Sequence, residues 1–213
     1  MTEKQRIAKV AELLSLRYPD AECALEYKGA PWKLLVMGRL SAQCTDKRVN
    51  IVCEELFDRF PTPEALAEGD ITEIERIVKP CGLYKVKAQN IKDECAMLVS
   101  EFGGVIPQDM DSLLRFPGVG RKIANLLLGD IYNLPAVVAD THCIRITARL
   151  GFTSTGCKDP LTTERTLAAI LDPKIQSDFC HRIVWFGREV CTARSPKCSE
   201  CELASLCKNK DIS

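Results

Sequence analysis

Four cysteines crowd the C-terminal end of the chain. Cys191, Cys198, Cys201 and Cys207 are separated by six, two and five residues. Four thiolates so spaced can converge on one centre, and either tetrahedral zinc or a 4Fe–4S cluster suits four sulfur ligands. Zinc ribbons usually pair two Cys-x-x-Cys knuckles, and this run has only one. The uneven spacing favours a cubane, whose corners lie farther apart than ligands on a single ion.

A second constellation is Phe116-Pro117-Gly118-Val119-Gly120-Arg121-Lys122, a tight turn between two apolar helical segments. The two glycines let the backbone turn sharply and approach a partner, and the new helix exposes its first amides. A helix-hairpin-helix of this kind grips phosphate through main-chain N–H groups without reading base sequence. Lys122 follows in the first helical turn. Its place at the helix's positive end, beside Arg121, favours the neutral amine, which is the nucleophilic form. An amine beside a phosphate-gripping turn is set to attack the C1′ of a nucleotide sugar and form a Schiff base. Asp140, in Ala139-Asp140-Thr141-His142, is placed to cap a helix. The amides there keep a carboxylate ionised, as stabilising an oxocarbenium-like sugar requires.

The elements that must position these groups are helical. Apolar residues recur at three- and four-residue steps from Ile7 to Leu16, and Trp32–Leu40 is strongly apolar. The same steps return over Asp46–Phe60, Ile71–Val78 and Tyr84–Phe102. Further helices are expected at Met110–Phe116, Arg121–Leu128, Thr141–Leu150, Leu161–Leu171 and Ser177–Glu189, with Pro61 and Pro63 breaking the chain after the third. No alternating stretch is flanked by hairpin turns, so the expected class is all-α with about ten helices.

Composition narrows the function classes. The 213 residues are 46% hydrophobic and 27% charged, too apolar for a disordered chain and too charged for a membrane protein. The N-terminal residues carry scattered charge and read as no signal peptide, so a cytoplasmic protein, nucleoid-associated in a prokaryote, is expected. Lys and Arg (29) balance Asp and Glu (29), which excludes a general polycation. The balance is uneven, with residues 111–213 holding 14 basic and 11 acidic side chains. A nucleic-acid surface is therefore expected mainly in the later half. The eight scattered cysteines read as small core residues in a reducing compartment.

Taken in order, these motifs resemble the endonuclease III family of DNA glycosylases with lyase activity. The likeness also includes Leu40-Ser41-Ala42-Gln43-Cys44-Thr45-Asp46, Gly82-Leu83-Tyr84 and His181–Arg188. The resemblance implies a two-lobed all-α helix-hairpin-helix fold. A six-helix barrel domain would span residues 21–134, and residues 1–20 with 135–213 would form a lobe carrying a 4Fe–4S cluster on Cys191, Cys198, Cys201 and Cys207. The implied partner is double-stranded DNA with damaged bases or abasic sites, lying across the cleft between lobes and bound by a monomer. The lesion would be flipped out, because base-removal chemistry cannot reach C1′ inside a paired duplex.

By position, Lys122 matches the family's Schiff-base lysine and Asp140 its catalytic aspartate. Gln43 matches the residue that fills the vacated space, and Leu83 the wedge against the estranged base. Gly118, Val119 and Gly120 match the phosphate grip, and Arg194 and Lys197 the basic cluster loop. The implied reaction is excision of an oxidised pyrimidine followed by β-elimination, with the cluster positioning a lobe. The sequence also departs from the family pattern. Gly38 and Arg39 interrupt a helix that is usually apolar, and Ile123 stands where Thr is common. Arg39 either lines the lesion pocket, with Asp46 and His142 as further candidates, or snorkels at the helix edge. In the first case the base preference shifts, towards mismatched thymine or uracil or another lesion. An adenine-excising relative would need a carboxylate on the early helix, and none lies between Glu26 and Asp46. A non-catalytic damage-binding module would lack the lysine or the aspartate, and both are present.

Overall fold

The computed structural model describes residues 1–209, so the last four residues of the expected second lobe lie outside it. Among the described residues eleven α-helices follow in order: α1 (Glu3–Arg17), α2 (Pro31–Leu40), α3 (Asp46–Arg59), α4 (Pro63–Glu68), α5 (Ile71–Val78), α6 (Tyr84–Phe102), α7 (Met110–Leu113), α8 (Arg121–Tyr132), α9 (Thr141–Leu150), α10 (Pro160–Ile170) and α11 (Gln176–Glu189). Short 3-10 turns occupy Lys79–Cys81, Pro173–Ile175, Cys198–Glu200 and Ala204–Leu206. Among the described residues there is no strand, and no helix is long and apolar enough to cross a membrane.

Helix α8 runs four residues past the expected end at Leu128, to Tyr132, and two further boundaries differ from the periodicity. Helix α4 begins at Pro63, a residue read above as a breaker. Proline is tolerated at the first helical position because that N–H has no intrahelical acceptor, and the Thr62 side chain caps the turn by accepting from Ala65 N–H. The segment read as helical to Phe116 stops at Leu113, and the hairpin turn follows.

The chain divides into two compact units, residues 23–132 and residues 1–22 joined with those from Asn133 onward. In the first, α2 carries charge only at Lys33 and Arg39 and buries Leu34, Leu35, Val36, Met37 and Leu40. Burying a side chain of this size contributes roughly 1.5–3 kcal/mol. Helix α6 packs against α2, α4 and α5, and α8 packs against α2 and α7. Gly38 is where α2 meets α8, since a Cβ there would press on the Ile123 side chain. The unusual glycine and the unusual isoleucine thus complement each other. In the second unit α11 packs on α1 and α9, and α10 on α9. Gly187 of α11 lets α9 come close: a Cβ would overlap His142 and Ile146.

Candidate active site

The hairpin turn assigns different tasks to its two glycines. Gly118 takes φ +77°, and a Cβ there would overlap the Arg39 and Asn90 side chains, so this glycine provides both the turn and close packing. Gly120 has ordinary backbone and open space where a Cβ would project, which leaves that side of the turn accessible. Among the described residues neither glycine N–H donates to a backbone carbonyl, whereas Val119 N–H donates to Phe116 C=O at 3.1 Å and its side chain is buried. Val119 thus closes the turn internally. The Gly120 carbonyl accepts the first bond of α8 from Ala124 N–H at 3.0 Å, and Lys122 is the second residue of that helix. Lys122 is exposed, and among the described residues no ion pair or hydrogen bond engages its ammonium.

Beneath the hairpin lies a polar layer. Asn90 Oδ1 accepts from Arg39 Nε at 2.8 Å and from a terminal guanidinium nitrogen at 2.9 Å, while Asn90 Nδ2 donates to the Val86 carbonyl at 3.1 Å. Arg39 is half-buried, and its guanidinium packs against Gly118 and Asn90. Glu94, one helical turn farther along α6, is fully buried, and neither carboxylate oxygen has a hydrogen-bond partner among the described residues. Burial pushes its pKa well above the ordinary glutamate value, with the Arg39 charge a partial offset.

The Leu40–Cys44 and Cys81–Leu83 turns both depart from common backbone geometry. Gln43 (φ +55°) and Leu83 (φ +48°) occupy the left-handed region, which costs a residue bearing a Cβ roughly 1–2 kcal/mol. Both side chains are exposed, Leu83 by 62%. Asp46 opens α3 behind the Thr45 cap and is half-buried.

Sequence reasoning missed Lys87. This residue of α6 has no solvent exposure, and its Nζ donates to the carbonyls of Leu40 (2.8 Å), Ala42 (2.6 Å) and Cys81 (2.8 Å). Burial pulls the ammonium below the ordinary lysine value; Cys44 and Cys81 oppose that shift and Arg39 adds to it. The available signal was register. Lys87 and Glu94 fall on the stripe that also carries Ile91, Cys95 and Leu98, where charge is out of place.

In the other unit, Asp140 caps α9, its Oδ1 accepting from Cys143 N–H at 2.7 Å. His142 lies on α9 against Gly187, with Nδ1 3.4 Å from an Arg145 guanidinium nitrogen. Cys191, Cys198, Cys201 and Cys207 all line one cavity of about 340 Å³, whose other walls include Ile146, Phe186 and Leu203. Among the described residues no three Cys, His, Asp or Glu side chains are arranged to hold a single metal ion. The four thiols surround a volume rather than a point, which fits a polynuclear cluster. Basic side chains tie this tail down. Arg149 donates to Cys191 Sγ (3.3 Å) and to the Thr192 (2.7 Å) and Ala193 (2.8 Å) carbonyls. Arg145 donates to the Cys191 carbonyl at 2.9 Å, and buried Arg6 to the Leu150 and Leu206 carbonyls at 2.7 Å each. Arg194 and Lys197 are exposed on the loop between the first two cysteines.

Comparison with known proteins places this geometry. Residues 36–173 match the HhH-GPD superfamily of base excision DNA repair proteins, and residues 191–207 match the iron-sulfur binding domain of endonuclease III. The endonuclease III of Synechocystis sp. is 43% identical over 213 residues, covering 100% of this chain and 96% of that protein. The chain belongs to the endonuclease III family. Two solved structures, a non-covalent endonuclease III–DNA complex and a trapped endonuclease III–DNA covalent intermediate with an estranged adenine, are each 39% identical. They superpose with TM-scores of 0.92 and 0.91; each match covers 99% of this chain and 97% or 98% of the other. The fold is the two-lobed all-α endonuclease III fold with its iron-sulfur subdomain, and the cofactor is a 4Fe–4S cluster. The activity is that of a bifunctional base-excision-repair DNA glycosylase and AP lyase.

Proposed function

We propose that the Lys122 amine is the nucleophile and that the substrate is an oxidised pyrimidine, or the abasic site it leaves, in double-stranded DNA. One observation carries this reading: a lysine on the first turn of the hairpin's second helix, exposed and with no ion pair among the described residues. The neutral amine's lone pair forms the N–C1′ bond as the glycosidic bond breaks, and its electron pair leaves with the base. Asp140 stabilises the positive charge that develops on the sugar. Loss of a proton from nitrogen and ring opening give the Schiff base, which acidifies the C2′ proton. Removal of that proton expels the 3′ phosphate and cuts the strand.

The remaining groups hold the substrate. The open face at Gly120 admits a backbone phosphate to the first amides of α8, and exposed Arg194 and Lys197 add charge contacts to the duplex. Gln43 fills the space left by the extruded nucleotide and Leu83 wedges against its former partner. Cys191, Cys198, Cys201 and Cys207 hold the cluster, which when bound cross-links the tail and so shapes the Arg194–Lys197 loop. The protein works as a cytoplasmic monomer.

Borohydride trapping on abasic-site DNA tests the nucleophile. A covalent adduct is expected with the unsubstituted protein and none with Lys122→Ala. An adduct that survives the substitution removes the assignment.

A further inference from the structure

Gln43 and Leu83, in two separate turns of the 23–132 unit, are exposed non-glycine residues in left-handed backbone; Lys28 is a third such residue, outside these turns. Strained backbone of this kind persists only where its surroundings hold it. Here the holding group is one ion. Lys87 reaches the Leu40 and Ala42 carbonyls of the first turn and the Cys81 carbonyl of the second, so its three N–H donors meet three acceptors.

Among the described residues no carboxylate accompanies this ammonium: its hydrogen-bond partners are all main-chain carbonyls, and it is fully buried. Taking an ammonium out of water is costly, and an apolar side chain would fill the same space without that cost. What the lysine adds is a set spacing between two turns, because three short bonds to one nitrogen leave little freedom for the carbonyls to drift apart.

We propose that Lys87 is a positioning residue that fixes Gln43 and Leu83 relative to each other, so that both enter the duplex together when the damaged nucleotide leaves. This rests on the roles given to Gln43 and Leu83 above. Lys87 then matters when a base pair must be opened and has little to do when no pair exists.

The test compares Lys87→Met with the unsubstituted holoenzyme on two substrates: an abasic site opposite adenine in a duplex, and the same site in a single strand. The expected result is a fall of roughly tenfold or more in kcat/KM on the duplex with less than about a twofold change on the single strand. Iron content should be unchanged. Equal losses on both substrates, or no loss on either, overturn the proposal. If Lys87→Met does not fold, Lys87→Arg replaces it. A planar guanidinium keeps the charge but cannot match three acceptors gathered round one nitrogen, so the same selective loss is expected, and wild-type behaviour on both substrates overturns the proposal. Gln43→Ala and Leu83→Ala, run in parallel, separate the two levels. If they spare the duplex reaction, the wedge reading fails; if they impair it selectively while the Lys87 variants do not, only the Lys87 inference fails.

Discussion

Asp140 Oδ1 lies 2.7 Å from the backbone nitrogen of Cys143, so the carboxylate proposed to steady a sugar cation also closes the first turn of α9. One oxygen is committed to the helix cap, and the substitutions that remove charge and cap are separable. Asp140→Asn keeps a capping oxygen and loses the charge, whereas Asp140→Ala loses both. Base excision should fall sharply in both variants. Only Asp140→Ala should show the stability loss of about 0.5–2 kcal/mol that follows removal of a cap, read by urea unfolding. Full excision activity in Asp140→Asn would show that capping is all the residue does.

The two glycines of the hairpin should separate stability from binding. Gly118→Ala places a Cβ at φ +77° and into Arg39 and Asn90, and is expected to destabilise by roughly 1–3 kcal/mol. Gly120→Ala meets nothing within the protein and should melt within a degree or two of the parent while binding abasic duplex more weakly. Anisotropy titrations and thermal melts on both variants check this, and a Gly120→Ala variant that binds like the parent would remove the phosphate from that face.

Glu94 makes the protein sensitive to alkali. Its folded pKa is raised by burial, so the folded state keeps a proton that the unfolded chain gives up once the pH passes the ordinary glutamate range. Stability therefore falls as pH rises from that range towards the folded value. Glu94→Gln removes the titration. The variant and the parent should melt close together near pH 4, and the variant should become progressively the more stable of the two towards pH 8. A difference that stays constant across this range would mean that Glu94 is ionised in the fold.

Arg149 should govern cluster retention. It binds one cysteine sulfur and two carbonyls of the segment that follows. Purified parent protein is expected to be brown with about four irons per chain, the content of one cubane. Arg149→Ala should purify with less iron and weaker visible absorbance, and Cys198→Ser with less still. Unchanged iron in Arg149→Ala would mean that the cysteines hold the segment unaided.

Much of this was written in local pattern. Helical periodicity set the class and nearly every element, because burial of one stripe per helix is what the repeat encodes. The Gly-x-Gly turn, Lys122 on the helix it opens and Asp140 at an N-cap are relations between residues a few positions apart, legible before any folding. So was the cysteine run, whose spacing favoured a cluster over one ion. Where local pattern misled, at Pro63, the same proline can end one helix or begin another, and the Thr62 cap decides which.

Other relations depend on residues far apart in the chain. Arg39 had two readings open to it; contact with Asn90 and Gly118, which come from α6 and the hairpin, sets it beneath the turn. Gly38 looked like a weakness in a core helix until Ile123 of α8 was seen packed against it. Lys87 joins carbonyls 6, 45 and 47 positions away, and no periodicity foretells which main-chain oxygens will meet a buried ammonium. Side-chain chemistry and short spacings belong to the sequence; which distant backbone groups share one desolvated volume is decided only when the helices pack.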